Sequence, residues 1–151
     1  LYNEGYDRGI MHKAARFFEG THDFSVFARL DARSPIRTIE QVTLNGSEVL
    51  TIDVIGSSFL WQQARRMVAA MIQVGRGELP ATVIKDALLQ PAGQDFGLAS
   101  PEQLLLLGVE YLDTPAWHEA PGKLTLRKRL HSLQMRMCMY KDMAHPIHRN
   151  K

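Results

Sequence analysis

The sequence has little cysteine and no long apolar run, and each shortage excludes a class of protein. A single cysteine, Cys138, cannot form a disulfide within the chain, which is typical of a reducing compartment. No apolar run reaches the roughly 20 residues of a membrane-spanning helix, and the first residues lack the basic and apolar segments of a secretion signal. We therefore expect a soluble protein without membrane contact, in the cytoplasm or, in a eukaryote, in the nucleus or an organelle.

The sequence also lacks the ligand set of a closed metal site. His145 and His148 have a spacing seen in metal ligands, but no cysteine or acidic cluster accompanies them. They lie close to the end of the chain, where local order is usually weakest. We therefore expect no metal.

The charge is distributed unevenly along a chain of ordinary globular composition. Its 151 residues are 45% hydrophobic and 23% charged, which fits one domain. Residues 122–151 contain eight of the 18 Lys and Arg and one acid, whereas the first 121 residues contain ten bases and 15 acids. Such a basic segment fits an anionic partner, most often nucleic acid, or a solvated helix face, and charge alone does not decide between them. The candidate RNA contacts in it are Arg127, Lys128, Arg129 and Arg136.

Two regions in the first 60 residues have clear periodicity. Apolar residues at helical spacing over 7–20 predict a helix with one buried face. Two runs rich in Ile, Val and Thr, 36–44 and 48–55, flank the pair Asn45-Gly46. They predict a β-hairpin, because both turn residues tolerate a positive φ.

The next part of the chain predicts two helices and a strand. A helix over 57–75, capped by one of two serines, precedes a shorter helix over 80–90. Residues 104–111, L-L-L-L-G-V-E-Y, predict a buried central strand. Strands before and after the helices indicate an α+β fold, with one antiparallel sheet and helices packed on one face. The predicted organisation is a domain over 1–112, a linker over 113–122 and a basic amphipathic helix over 123–151.

Two adjacent arginines in the first of these helices are not equivalent. Residues three and four apart share a helix face, so Arg66 lies with Gln62 and Gln73 on a polar stripe. Arg65 lies instead beside Trp61, at the edge of the apolar stripe. We therefore expect Arg66 on the solvated face and Arg65 partly buried.

A partly buried arginine normally meets an acid, because an unpaired buried guanidinium costs several kcal/mol. One interpretation is a structural ion pair within the domain, with Asp23 or Asp53 as candidates. The other is that Arg65 points into a site whose acid comes from another segment. The sequence alone leaves both open.

Three blocks of sequence occur in order: M-x-x-A-A-x-x-F-x-G-T-H-D-F-S-x-F at 11–27, S-S-F-L-W-Q-Q-A-R-R-M-V-A at 57–69, and A-S-P-E-Q-L-L-L-L-G-V-E-Y at 99–111. Together they resemble the C-terminal half of the tRNA pseudouridine synthase A family. The resemblance covers about two thirds of the chain and leaves the basic segment outside. It implies the ferredoxin-like half of an enzyme that turns uridines in the anticodon arm of tRNA into pseudouridine, without a cofactor.

The resemblance also implies a missing part. The family's catalytic aspartate lies in an N-terminal R-T-D-x-G-V-H-A-like motif, and no such motif occurs in this sequence. The chain, which begins at Leu1 and not at a methionine, therefore resembles one half of an enzyme and is expected to be inactive alone. Its implied partners are tRNA and the N-terminal half, and a homodimer stays open.

The resemblance gives several residues a role. Arg65 occupies the position of the family's helix arginine, which pairs with the catalytic aspartate and keeps it ionised and oriented. The substrate-cleft candidates, from the H-D-F block and from the strand that approaches the target base, are His22, Asp23, Phe24, Leu104 and Leu106. A plain packing role is the alternative for the two leucines, and a loop-holding role for the H-D-F block.

A stand-alone ferredoxin-like RNA-binding module is the alternative function. It would use the basic segment without chemistry and would expose aromatic side chains on a strand for base stacking. Phe24, Phe27 and Tyr111 are the candidates, although their periodicity favours packing.

Overall fold

The computed structural model of the protein describes residues 5–46, 49–91 and 93–109, and the chain divides into two compact units, Leu1–Leu104 and Leu105–Lys151. In the first unit the helices are α1 (Arg8–Arg16), α2 (Gln63–Gly75) and α3 (Thr82–Leu89), and the strands are β1 (Gly20–Asp23), β2 (Ile36–Asn45) and β3 (Thr51–Gly56). Short 3₁₀ helices span Ser25–Phe27 and Pro101–Gln103. In the described part of the chain, no helix is long and apolar enough to cross a membrane.

The three strands form one antiparallel sheet in the order β1, β2, β3. The predicted hairpin is confirmed, with β2 ending at Asn45 and Gly46 in the left-handed region at a φ of 89°. Ile39, Val42 and Leu44 of β2 are buried in the core that the helices share with the sheet. The predicted α+β arrangement, with helices packed against an antiparallel sheet, is confirmed.

Aromatic side chains form the centre of this core. Phe18, Phe24, Phe27 and Phe96 are all fully or almost fully buried. Phe27 meets Phe18 edge to face and stacks on Phe96, with ring centroids 5.0 Å apart in both pairs. Phe96 belongs to the loop after α3, so this loop is part of the core and does not lie loosely over it.

Helices α1 and α2 pack closely because Gly75 has no side chain. A Cβ at Gly75 would lie 2.5 Å from Sδ of Met11. The backbone N–H of Asp7 donates to the carbonyl of Gly75 at 2.7 Å, and the Asp7 carboxylate accepts from the N–H of Ile10 at 3.0 Å. Asp7 thus caps α1 and joins its start to the end of α2.

The helix predicted over 57–75 starts later, at Gln63, so the expected serine cap was wrong. The preceding chain is extended, because the N–H of Arg29 donates to the carbonyl of Trp61 at 2.9 Å. Gln62 then has a φ of 64°, which interrupts helical geometry. Gln63 is the first helical residue, and its buried side chain accepts the backbone N–H of Leu60 at 2.8 Å. This hydrogen bond fixes the chain that leads into the helix.

The central strand predicted over 104–111 was also wrong for its described residues, 104–109, which have no regular secondary structure. A strand requires a neighbour for its N–H and C=O groups, and none of the described strands pairs with this segment. Leu104 and Leu106 are 51% and 75% exposed and are not buried as predicted. The predicted linker at 113–122 and helix at 123–151 lie outside the described residues and stay predictions.

Candidate functional site

Arg65 lies in the first turn of α2, is partly buried, and is held by the backbone of the loop after α3. Its Nε donates to the carbonyl of Ala99 at 2.7 Å, and the N–H of Ala99 donates to the carbonyl of Arg65 at 3.3 Å. This reciprocal pair joins α2 to the loop after α3. The predicted partial burial of Arg65 at the edge of the core is confirmed.

The acids considered as partners for Arg65 are engaged elsewhere. Asp23 accepts from the backbone N–H of Ser25 at 2.8 Å and from its hydroxyl, and Asp53 accepts from the side chain of Asn45 at 3.0 Å. Within residues 5–46, 49–91 and 93–109, no carboxylate forms an ion pair with Arg65. The structural ion pair with Asp23 or Asp53 was therefore wrong.

Arg66 has the internal ion pair instead. Its Nη1 lies 2.9 Å from Oδ1 of Asp95, and 23% of its side chain is exposed. The pKa of Asp95 is lowered from its usual value by the N–H of Gly97, which donates to the carboxylate, and by the charge of Arg66. The solvated position expected for Arg66 was wrong, because the loop after α3 covers this part of the helix.

Residues of the predicted polar stripe on α2 bind that loop. Gln73 donates from Nε2 to the carbonyl of Phe96 at 2.7 Å, two turns beyond Arg66. With the Arg66–Asp95 and Arg65–Ala99 contacts, three side chains of α2 hold residues 95–99. The polar residues of the stripe thus satisfy a loop that has no regular structure of its own.

The H-D-F block lies at the end of β1. His22 is partly buried and its Nε2 donates to the carbonyl of Glu19 at 2.8 Å. Asp23 accepts from the N–H and the hydroxyl of Ser25, the first residue of the 3₁₀ helix Ser25–Phe27, and this helix packs against α2. Phe24 is fully buried in the core, so its side chain is directed away from any RNA in this arrangement. Contact of His22 and Asp23 with substrate stays a prediction.

Exposed apolar side chains lie in the segments before and after the Arg65–Ala99 contact, and we call Trp61, Leu98 and Leu104 the apolar rim. Trp61, four residues before Arg65 in sequence, is 54% exposed, and the guanidinium of Arg29 lies 4.4 Å from the centre of its ring. Leu98, next to Ala99, is also exposed, as is Leu104. The described residues therefore combine a fixed cation on α2 with exposed apolar side chains in the flanking segments, and an exposed apolar surface is typical of a binding site.

Some of these contacts could not be found in the sequence, and some predicted residues lie outside the described chain. Asp95 has a local signal, since an acid two residues before a glycine is typical of a turn. The sequence contains no local signal for the ion pair between Asp95 and Arg66, or for the hydrogen bond from Arg65 to the carbonyl of Ala99. The RNA-contact candidates Arg127, Lys128, Arg129 and Arg136 lie outside the described residues.

Comparison with known proteins gives this arrangement a context. A family model described as tRNA pseudouridine synthase matches residues 14–112. A relative named tRNA pseudouridine synthase A, from Thermococcus kodakarensis, is 42% identical over 113 residues, which are 74% of this chain and 42% of that protein. Relatives with the same name from Methanoculleus marisnigri and Methanosarcina mazei are 41% and 32% identical, over 70% and 95% of this chain and 39% and 54% of their own lengths. The chain thus spans about two fifths to one half of the relatives it matches.

Proposed function

We propose that this chain, which belongs to the tRNA pseudouridine synthase family, is the C-terminal half of an enzyme that isomerises uridine to pseudouridine in the anticodon arm of tRNA. The catalytic aspartate is supplied by an N-terminal half, and Arg65 is its ion-pair partner. The reaction takes place in a reducing compartment, in the cytoplasm or, in a eukaryote, in the nucleus or an organelle.

The observation that carries this proposal is the state of Arg65. The guanidinium is partly buried and oriented by Ala99, yet it has no acid among the described residues. Its terminal nitrogens form no hydrogen bond there, since the one side-chain bond uses Nε. A partly buried arginine whose two terminal nitrogens are unbonded among the described residues is suited to a bidentate pair with a carboxylate. Because this sequence contains no R-T-D-like motif, we propose that the carboxylate lies in another segment.

The chemistry requires an ionised and immobile carboxylate. In the isomerisation the bond from the ribose C1′ to N1 of uracil breaks, the base turns, C1′ bonds to C5, and the proton of C5 is lost while N1 gains one. An arginine beside the aspartate opposes the rise in pKa that burial in a covered site would cause, and so keeps the carboxylate charged at neutral pH. Fixed charges of this kind stabilise a transition state without reorganisation.

The apolar rim has a complementary role. A target uridine must leave its stack to reach the site, and its detached base must be retained during the reaction. The family resemblance makes Leu104 and Leu106 candidates for contact with that base, and each is exposed. Trp61 and Leu98 would exclude water from the Arg65–aspartate pair once the N-terminal half covers them.

The test is to map pseudouridine in unmodified tRNA after incubation with the full-length protein. New pseudouridine confined to the anticodon arm supports the proposal, and an isolated anticodon stem-loop of the same sequence defines how much of the tRNA is needed. Pseudouridine outside that arm would contradict the substrate region. No pseudouridine in any tRNA, from a folded protein that binds tRNA, would contradict the enzyme itself.

The alternative of a stand-alone RNA-binding module receives no support from the described residues. Two of its three stacking candidates, Phe24 and Phe27, are fully buried in the core and present no ring face to a base. The third, Tyr111, lies outside the described residues. The proposed function is therefore the enzyme and not the binding module.

A further inference from the structure

Every charged side chain on the outer face of α1 is basic. Arg8, His12 and Arg16 follow one another at intervals of one helical turn, and Lys13 lies beside this row. His12, Lys13 and Arg16 are exposed and Arg8 is partly exposed, while the opposite side of the helix is buried in the core. We refer to these four residues as the α1 basic face.

The described part of the chain does not neutralise this face. None of the four side chains forms a hydrogen bond, ion pair or ring contact with the described residues. The acids that flank the helix there accept hydrogen bonds from backbone N–H groups and form no ion pair with these four side chains. Asp7 caps the helix at Ile10, and Glu19 accepts the backbone N–H of Val42 at 3.0 Å. The four positions therefore present uncompensated basic groups to solvent.

Helix stability explains part of the face and not all of it. Lys13 and Arg16 lie in the last turn, where a cation is favourable to the helix dipole. Arg8 is the first helical residue, where a cation is unfavourable for the same reason. Since Arg8 works against its own helix and has no hydrogen bond, ion pair or ring contact with the described residues, its charge is available for a partner.

We infer that the α1 basic face binds the phosphate backbone of tRNA, on a different helix from Arg65. From Arg8 to Arg16 the helix rises about 12 Å, a length over which one nucleic-acid strand carries roughly three phosphates. A second copy of this chain is a poor occupant, because two such faces would place like charges opposite each other. The inference rests on the proposed function, since the polyanion is the tRNA substrate of that enzyme.

The test compares two charge-matched double variants of the full-length protein. Lys13→Gln/Arg16→Gln removes two cations from the face, and Arg33→Gln/Lys85→Gln removes two exposed cations outside it. Affinity for unmodified tRNA is measured at several salt concentrations, with thermal unfolding as a check on folding. The first variant should bind about ten-fold or more weakly near 0.1 M salt, and its slope of log affinity against log salt should fall by roughly 1.4–1.8. The control should stay within about two-fold of wild type.

A further single variant separates RNA binding from helix stability. Arg8→Gln removes a cation that is unfavourable to the helix, so weaker tRNA binding by this variant cannot come from a weaker α1. Lys13→Arg/Arg16→Lys keeps both charges and should bind as wild type does. Loss of affinity in Arg8→Gln together with retention in the charge-keeping variant supports the inference even if Lys13→Gln/Arg16→Gln is unstable.

The outcomes distinguish this inference from the proposed function. The inference would be overturned if Lys13→Gln/Arg16→Gln and Arg8→Gln had the same tRNA affinity and salt slope as wild type. Normal pseudouridine formation in the same variants would leave the proposed enzyme intact. An equal loss in the Arg33/Lys85 control would overturn it too, because the effect would then be one of net charge. If wild type forms no pseudouridine but the α1 variants alone lose tRNA affinity, the proposed enzyme fails and the RNA-binding face stands.

Discussion

Replacing Arg65 by alanine in the full-length protein separates folding from catalysis. The folded domain loses the bond from Nε to the carbonyl of Ala99, a net loss of about 1 kcal/mol. Alanine favours helix by a few tenths of a kcal/mol, and the bond from the N–H of Ala99 to the carbonyl of residue 65 remains. We therefore expect the variant to fold and to bind tRNA almost normally.

The same replacement should strongly reduce the chemical step. Two unit charges about 4 Å apart interact by about 4 kcal/mol at an effective dielectric constant of 20. Full loss of that interaction corresponds to roughly three powers of ten in rate, which is an upper limit because solvent enters the space left by the side chain. The aspartate pKa should also rise, so the acidic limb of the rate profile should move to higher pH.

Single-turnover release of the hydrogen at C5 of the target uridine is the suitable assay, because it reports the rearrangement and not tRNA binding. Arg66→Ala is the matched control, since it removes an identical charge one residue away and breaks the ion pair with exposed Asp95. A normal rate and pH profile for Arg65→Ala would refute the assigned role. An equal loss in Arg66→Ala would show that the position of loop 95–99 matters more than the charge.

Three further predictions follow from other parts of the molecule. Gly75→Ala should destabilise the domain by about 1–3 kcal/mol in denaturant unfolding, because its Cβ would meet buried Met11; an unchanged midpoint would mean that α1 and α2 can separate at no cost. Removing residues 123–151, which contain eight basic residues, should weaken tRNA binding and flatten its salt dependence, and an unaltered slope would make that segment structural. Asp31 should titrate with a pKa of about 2 by NMR, because the Arg33 side chain and N–H donate to it, and Arg33→Gln should raise this pKa; an unmoved titration would assign the shift to another cause.

Local patterns in the sequence predicted the elements that depend on local chemistry. The Asn45-Gly46 pair identified the hairpin, and the spacing of apolar residues identified α1 and the buried side of α2. The three- and four-residue spacing of a helix face placed Arg65 at the edge of the core. These features follow from the backbone preferences and periodicity of a few consecutive residues.

Contacts between distant residues were beyond such reasoning. The pairing of Arg29 with Trp61 delays the start of α2, and no pattern near Ser57 records it. Arg66 meets Asp95 from 29 positions away, so its spacing on the helix indicated solvent where a loop lies. The strand predicted over 104–111 is not formed in its described part, 104–109. A strand forms only beside a neighbouring strand, and the apolar composition of a segment does not show whether such a neighbour exists.

The hold of Ala99 on Arg65 has an entropic consequence. A free arginine side chain carries about 2 kcal/mol of rotamer entropy, which a pairing partner would otherwise have to remove. Because the Ala99 carbonyl restricts Nε when this domain folds, much of that loss precedes any encounter with an aspartate. The direction of the guanidinium is then set by main-chain atoms. Changing the side chain at position 99 should leave that direction unaltered, whereas inserting or deleting one residue within 95–99 should turn it.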